Sequence, residues 1–169
     1  MKRLKPAAFT PYDLSQESYT RLLWVFEGIT SYYDDLALIR SGLISQTDYL
    51  ELVGQTITRV IRGEGRRRQS VSDSSFDAWT KFYKQDANST NAIVSYYAKG
   101  ALIAMSLDLK LREETEGRVS LDDVMRACWA KWGETGDGMP EGGFESMCLE
   151  VSGLDLGDFF DAAVRGTGE

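Results

Sequence analysis

One carboxylate set into an apolar helical pattern is the position in this chain most open to chemistry. Glu27 lies in Trp24-Val25-Phe26-Glu27-Gly28-Ile29-Thr30-Ser31-Tyr32-Tyr33, around which Leu22, Phe26, Ile29, Tyr33 and Leu36 recur at spacings of three and four. That is the period of a helix with one buried face. Glu27 falls beside the stripe, where a carboxylate is costly to bury unless a metal, a base or a hydrogen-bond donor meets it. Nitrogen ligands for a metal are scarce, because the chain has no histidine. Its two cysteines, Cys128 and Cys148, fall in apolar helical patterns and read as buried thiols rather than a bridge or a metal pair.

Helices must position these groups. The periodicity predicts a first helix over residues 17–41, with Gly42 as its stop. Ser45, with Asp48 three residues on, caps a second helix whose apolar face is Tyr49, Leu52, Val53, Ile57, Val60 and Ile61. A short turn joins the two, so they pack antiparallel. Residues 63–74 form a polar loop, in which Arg66, Arg67 and Arg68 read as a solvated charge run, with an anion contact as the alternative. Phe76, Trp79, Phe82 and Tyr83 then read as core on a short helix. Asn88-Ser89-Thr90 matches a glycosylation sequon but serves as a loop and cap.

A long helix is expected over 91–114, its small residues Gly100, Ala101 and Ala104 allowing another helix to approach closely. Ser120 with Asp123 starts the next helix. Residues 133–143 form a glycine-rich loop. Asp137 and Glu141 within it lack the alternating oxygen ligands of a calcium loop. Short helices over 144–151 and 156–164 complete the chain. No strand pattern and no internal repeat emerges. The fold class is all-α, a helical bundle.

The run Trp24-x-x-Glu27-Gly28-x-x-x-Tyr32 resembles the segment that supplies the third zinc ligand in gluzincin aminopeptidases, and residues 23–35 resemble the glycyl-aminopeptidase family most closely. The likeness extends from Lys2 to about Gly166. It implies the helical half of a thermolysin-like catalytic domain, with Glu27 as a zinc-ligand position. In such sites three protein ligands hold the metal, and a bound water becomes a nucleophile with a pKa of about 7. Tyr97-Ala98-Lys99-Gly100-Ala101 resembles the Tyr-x-Lys-Gly-Ala motif whose tyrosine stabilises the oxyanion. Tyr96 is the alternative, pointing about 100° away around the predicted helix. Asp34, seven residues from Glu27 on nearly the same face, is a weaker candidate for receiving the substrate's ammonium, with Asp35 beside it.

The family's other two ligands and its general base belong to a His-Glu-x-x-His helix, and this chain has none. The segment resembling Lys2-Arg3-Leu4-Lys5-Pro6 follows that helix in the family. The expectation is therefore a fragment of the catalytic domain: an extended lead-in over 1–15, a helical subdomain over 16–166, and 167–169 starting a linker toward a missing C-terminal domain of PDZ type. The parent binds zinc and hydrolyses N-terminal residues, possibly glycine, from peptides. This chain alone is expected to hold no zinc and to be inactive. Its expected partners are the missing His-Glu-x-x-His half, which leaves an apolar surface exposed, and a second copy docked on that surface. The alternatives are a self-contained helical interaction module and a histidine-free pseudoenzyme.

Charge narrows the remaining classes. The 169 residues carry 26 acidic against 19 basic side chains, a net charge of -7, which argues against a nucleic-acid footprint. No apolar run approaches the ~20 residues of a membrane span, and the first residues lack the apolar core of a signal peptide. With 43% hydrophobic residues, a folded globular domain is expected.

Overall fold

Serine caps and glycine stops set the helical frame. In the computed structural model, which describes residues 3–168, Ser45 and Asp48 form a reciprocal capping box that opens α2 (Gln46–Arg62). Gly42 takes a φ of +74° just past α1 (Ile29–Arg40), the left-handed backbone that lets the chain turn toward α2. Ser70 caps α3 (Val71–Phe76), and α4 (Ser89–Ala92) is a single turn. The long α5 (Ala98–Glu114) precedes α6 (Leu121–Cys128), which Ser120 and Asp123 open with a second capping box. Then come α7 (Gly143–Ser152) and α8 (Gly157–Phe160). Among the described residues there is no strand, only an isolated bridge between Pro6 and Met139, and no helix is long and apolar enough to cross a membrane. Expectations at Met1, Lys2 and Glu169 fall outside the described residues.

The core gathers around α5, which packs against α1, α2, α6 and the Trp24–Gly28 turn. The apolar side chains Leu107 and Leu111 are fully buried there. Buried Asp108 accepts hydrogen bonds from Tyr32 Oη at 2.8 Å, Leu121 N at 2.8 Å and Arg112 Nε at 3.1 Å. It thereby ties α1 and the start of α6 to α5 with every partner satisfied. An aromatic triangle of Trp24, Phe144 and Phe160 links the start of α1 to the C-terminal helices, with ring centroids 5.6 to 6.4 Å apart. Cys128 and Cys148 are buried and free.

Three local expectations are corrected. The first helix begins at Leu23 rather than residue 17, because Thr20 Oγ1 accepts from Leu22 N and closes off the approach as a turn. The helix expected over 91–114 is broken at 93–97. There Val94 N–H donates to Gln69 Oε1 at 3.2 Å and Val94 carbonyl accepts from Ser74 Oγ, so α3 and the loop before it hold the segment extended. Phe76, Trp79 and Tyr83 are exposed rather than core. Trp79 Nε1 donates to Ser18 carbonyl, and Phe76 stacks between Tyr19 and the Arg21 guanidinium, so these two rings cover residues 18–21 instead.

Candidate active site

A backbone crossing fixes where Glu27 sits. Residues Trp24–Gly28 form a widened helical turn, in which Ile29 N–H reaches back five residues to the Trp24 carbonyl. Gly28 closes this turn and meets Gly100 of α5 backbone to backbone. A Cβ added at Gly28 would lie 2.6 Å from Gly100 Cα and 2.9 Å from Tyr96 carbonyl, while one at Gly100 would lie 3.0 Å from Gly28 Cα and 3.2 Å from Trp24 carbonyl. Only glycine fits both places. Glu27 immediately precedes one glycine and Tyr97 stands three residues before the other, so the crossing packs their two segments together.

The approach to Glu27 is anchored from a distance. Glu141, in the glycine-rich loop, accepts from Thr20 Oγ1 at 2.8 Å and from Arg21 N at 3.1 and 3.2 Å. Trp24 N donates to Ser75 Oγ at 3.0 Å, fixing the turn to α3. Thus the loop carboxylate that makes a poor calcium ligand is a structural acceptor for the segment leading to Glu27.

Tyr97 occupies the position just before α5, and Ser95 Oγ accepts from Ala98 N to start that helix. Because Tyr96 and Tyr97 lie in a turn, their rings do not diverge as on a helix. They stack with centroids 4.7 Å apart. Tyr96 Oη donates to Tyr83 Oη at 3.2 Å, and Tyr83 and Tyr97 hydroxyls share a 3.3 Å hydrogen bond. Burial, the hydrogen bond to Tyr83 and the negative charge of Glu27 push the Tyr97 phenol up to about 12. Burial and the same Tyr83 contact raise Tyr96 further. Tyr96 is 1% exposed, whereas Tyr97 is half-buried and lines a cleft. Tyr97 therefore stays a hydrogen-bond donor throughout the neutral range and can reach an outside molecule.

That cleft, about 290 Å³, lies between α1, α2 and α5, and Asp34 and Asp35 line it together with Tyr97 and Arg59. Asp34 also borders an apolar groove of about 670 Å³ on another side of α1, formed by Leu4, Phe26, Ile29, Leu38 and Met125. Half-buried Glu27 is not part of the cleft wall. The family resemblance pointed to Glu27 and Tyr97, and helical spacing from Glu27 to Asp34, but neither pointed to Tyr83, whose only signal was the adjacent pair Phe82-Tyr83, nor to the Gly28–Gly100 contact.

The donors present do not fit a resident catalytic zinc. Among the described residues no three His, Cys, Asp or Glu side chains converge to hold a metal ion, and the chain lacks histidine entirely. A catalytic zinc takes three protein ligands and favours nitrogen and sulfur. The thiols offer no substitute, since burial raises Cys128 to about 12 and Cys148 higher still.

Comparison with known proteins falls on the same residues. The model of a family described as M61 glycyl aminopeptidase matches residues 1–103, which include Glu27 and Tyr97. A solved structure of an aminopeptidase N family protein from Idiomarina loihiensis is 48% identical, with a TM-score of 0.95 over 99% of this chain. This chain spans 28% of the length of that protein's chain. No match was found among curated proteins.

Proposed function

From the premise that the chain belongs to the M61 glycyl aminopeptidase family, we propose that it is the helical part of an aminopeptidase catalytic domain. In this reading it contributes three side chains to a site completed by residues outside its own 169. Glu27 is the acidic ligand of a zinc whose nitrogen ligands and general base come from a His-Glu-x-x-His segment. Tyr97 donates a hydrogen bond from its phenol to the oxyanion that forms when the scissile carbonyl is attacked. Its proton is held up to about pH 12, so donation does not depend on pH across the neutral range. Tyr96, whose hydroxyl is turned to Tyr83, supports the stack rather than the reaction. Asp34, exposed at the cleft, receives the ammonium of the peptide's first residue, with glycine the residue inferred from the family.

The observation that carries this reading is the Gly28–Gly100 crossing, which packs the segment bearing Glu27 against the segment bearing Tyr97. The apolar groove of Phe26, Ile29, Leu38 and Met125 is the face that the complementing half covers, or a second copy in its absence. The isolated chain binds no zinc tightly and does not turn over substrate.

The test exchanges the matching segment of the Idiomarina loihiensis protein for this chain. Zinc content and hydrolysis of glycyl-p-nitroanilide are then measured against the unaltered protein. The chimera is expected to hold zinc and to cleave. Glu27→Ala should lose the metal, and Tyr97→Phe should keep it while kcat falls by about 10²–10³. A chimera that cleaves as well with Glu27→Ala, or in which Tyr97→Phe leaves kcat unchanged, removes these assignments.

A further inference from the structure

The Tyr97 hydroxyl meets the hydroxyl of Tyr83 at 3.3 Å, and Tyr83 does not line the cleft that Tyr97 faces. Tyr83 is exposed and directly follows the widened helical turn Ala78–Phe82, where its N–H donates to the Ala78 carbonyl at 3.0 Å. The same turn sets Phe82 against Tyr96 and Tyr97, with ring centroids 4.6 and 5.9 Å away. Tyr83 lies edge-on to Phe82 at 5.5 Å. A cluster of four rings thus joins two segments of the chain that the single turn of α4 separates.

Each of these hydroxyls has one proton to give and two lone pairs with which to accept. Tyr96 is buried, and its Oη donates to Tyr83 Oη at 3.2 Å, which pins the Tyr83 oxygen from the core side. In the Tyr83–Tyr97 bond either hydroxyl can give the proton. That bond raises the Tyr97 pKa, the sign it has when Tyr97 is the donor. The Tyr83 oxygen then accepts twice, and its own proton is left to solvent. An oxyanion in the cleft draws the Tyr97 proton away from Tyr83. Tyr83 can answer by turning its proton from solvent onto the Tyr97 oxygen, so the pair keeps its bond and only the direction reverses. A phenol whose oxygen accepts a hydrogen bond is the stronger donor to the next acceptor.

We propose that Tyr83 is a positioning residue for the reaction: its hydroxyl holds the Tyr97 phenol in place and reverses their shared hydrogen bond when Tyr97 donates to the oxyanion. No proton passes between the tyrosines, since rotation of two hydroxyls is enough. The inference rests on the oxyanion role given to Tyr97 above and adds the group that supports it.

Tyr83→Phe removes one hydroxyl from an exposed ring and keeps the edge-on contact with Phe82, so the fold is retained. In the chimera with the Idiomarina loihiensis protein, Tyr83→Phe should lower kcat for glycyl-p-nitroanilide about tenfold, the size of one hydrogen bond, with KM unchanged. Added to Tyr97→Phe it should cost nothing further, because the bond it supports is already gone. On the 169-residue chain itself, titration of the tyrosine ¹³Cζ resonances should show the Tyr97 pKa falling from about 12 in Tyr83→Phe. This last measurement needs no turnover. An unchanged kcat in Tyr83→Phe, losses that multiply in the double variant, or a Tyr97 pKa that does not move would each overturn the inference. If Tyr97→Phe leaves kcat at the parent value, the oxyanion role falls and this inference with it; a loss at Tyr97 with none at Tyr83 removes the positioning role alone.

Discussion

Helices α2 and α5 are both 17 residues long, yet one has no buried residue and the other has eight. Their sequences account for the contrast. α2 carries its apolar residues on one side and charges on the other, as a helix at the edge of a domain does, whereas α5 has small and branched apolar residues on several faces, as a helix enclosed by neighbours does. Even the apolar side of α2 is only half covered, because the Tyr97 cleft and a second groove, walled by Val60, Ile61 and Leu102, both open along it. One helix holds the fold together. The other gives walls to the places where an outside molecule can enter.

The largest expected effect tests that contrast directly. Leu107→Ala in α5 removes a fully buried side chain and should cost about 2–5 kcal/mol. Val53→Ala in half-buried α2 should cost under about 1 kcal/mol. Urea unfolding of the two variants measures both, and equal losses would mean that α2 is packed as deeply as α5. Next in size is a substitution that changes sign between regions. Gly28→Ala, which pushes a Cβ into Gly100, should destabilise by about 1–3 kcal/mol. Gly54→Ala in α2 meets nothing within 4 Å and should stabilise by about 0.4–1 kcal/mol. Thermal melts that move in the same direction for both would break the comparison.

The smallest effect is read in alkali. The folded chain holds the Tyr97 proton more tightly than the unfolded chain does, so this contribution is complete below about pH 10 and disappears as pH rises through about 12. Tyr97→Phe should therefore flatten part of the fall in stability above about pH 10. Identical alkaline limbs for the parent and Tyr97→Phe would show that the phenol is not held as described.

Much of this was legible in the residues. The capping boxes at Ser45 and Ser120, the stop at Gly42, the amphipathic α2 and the small residues of α5 each follow from local rules that tertiary contacts leave intact. The break at 93–97 was not legible, because side chains from Gln69 and Ser74 outcompete a helical pattern that by itself is continuous. Nor could the sequence show that Tyr96 and Tyr97 stack on one another, since that depends on the break. Exposure of Phe76, Trp79 and Tyr83 was missed for a related reason: aromatic spacing signals a contact surface without saying whether helices or an irregular segment will cover it. Motif likeness singled out Glu27 and Tyr97 as candidates, but the Gly28–Gly100 contact between their segments needed the third dimension.

The hydrogen bond from Arg21 N–H to Glu141 spans 120 positions. A ribosome making this polypeptide releases Arg21 and Glu27 long before the loop that holds their segment in place, so that amide waits on solvent while most of the domain is still being translated. The acidic position is thus completed late, by a stretch that itself takes no part in the chemistry assigned to it.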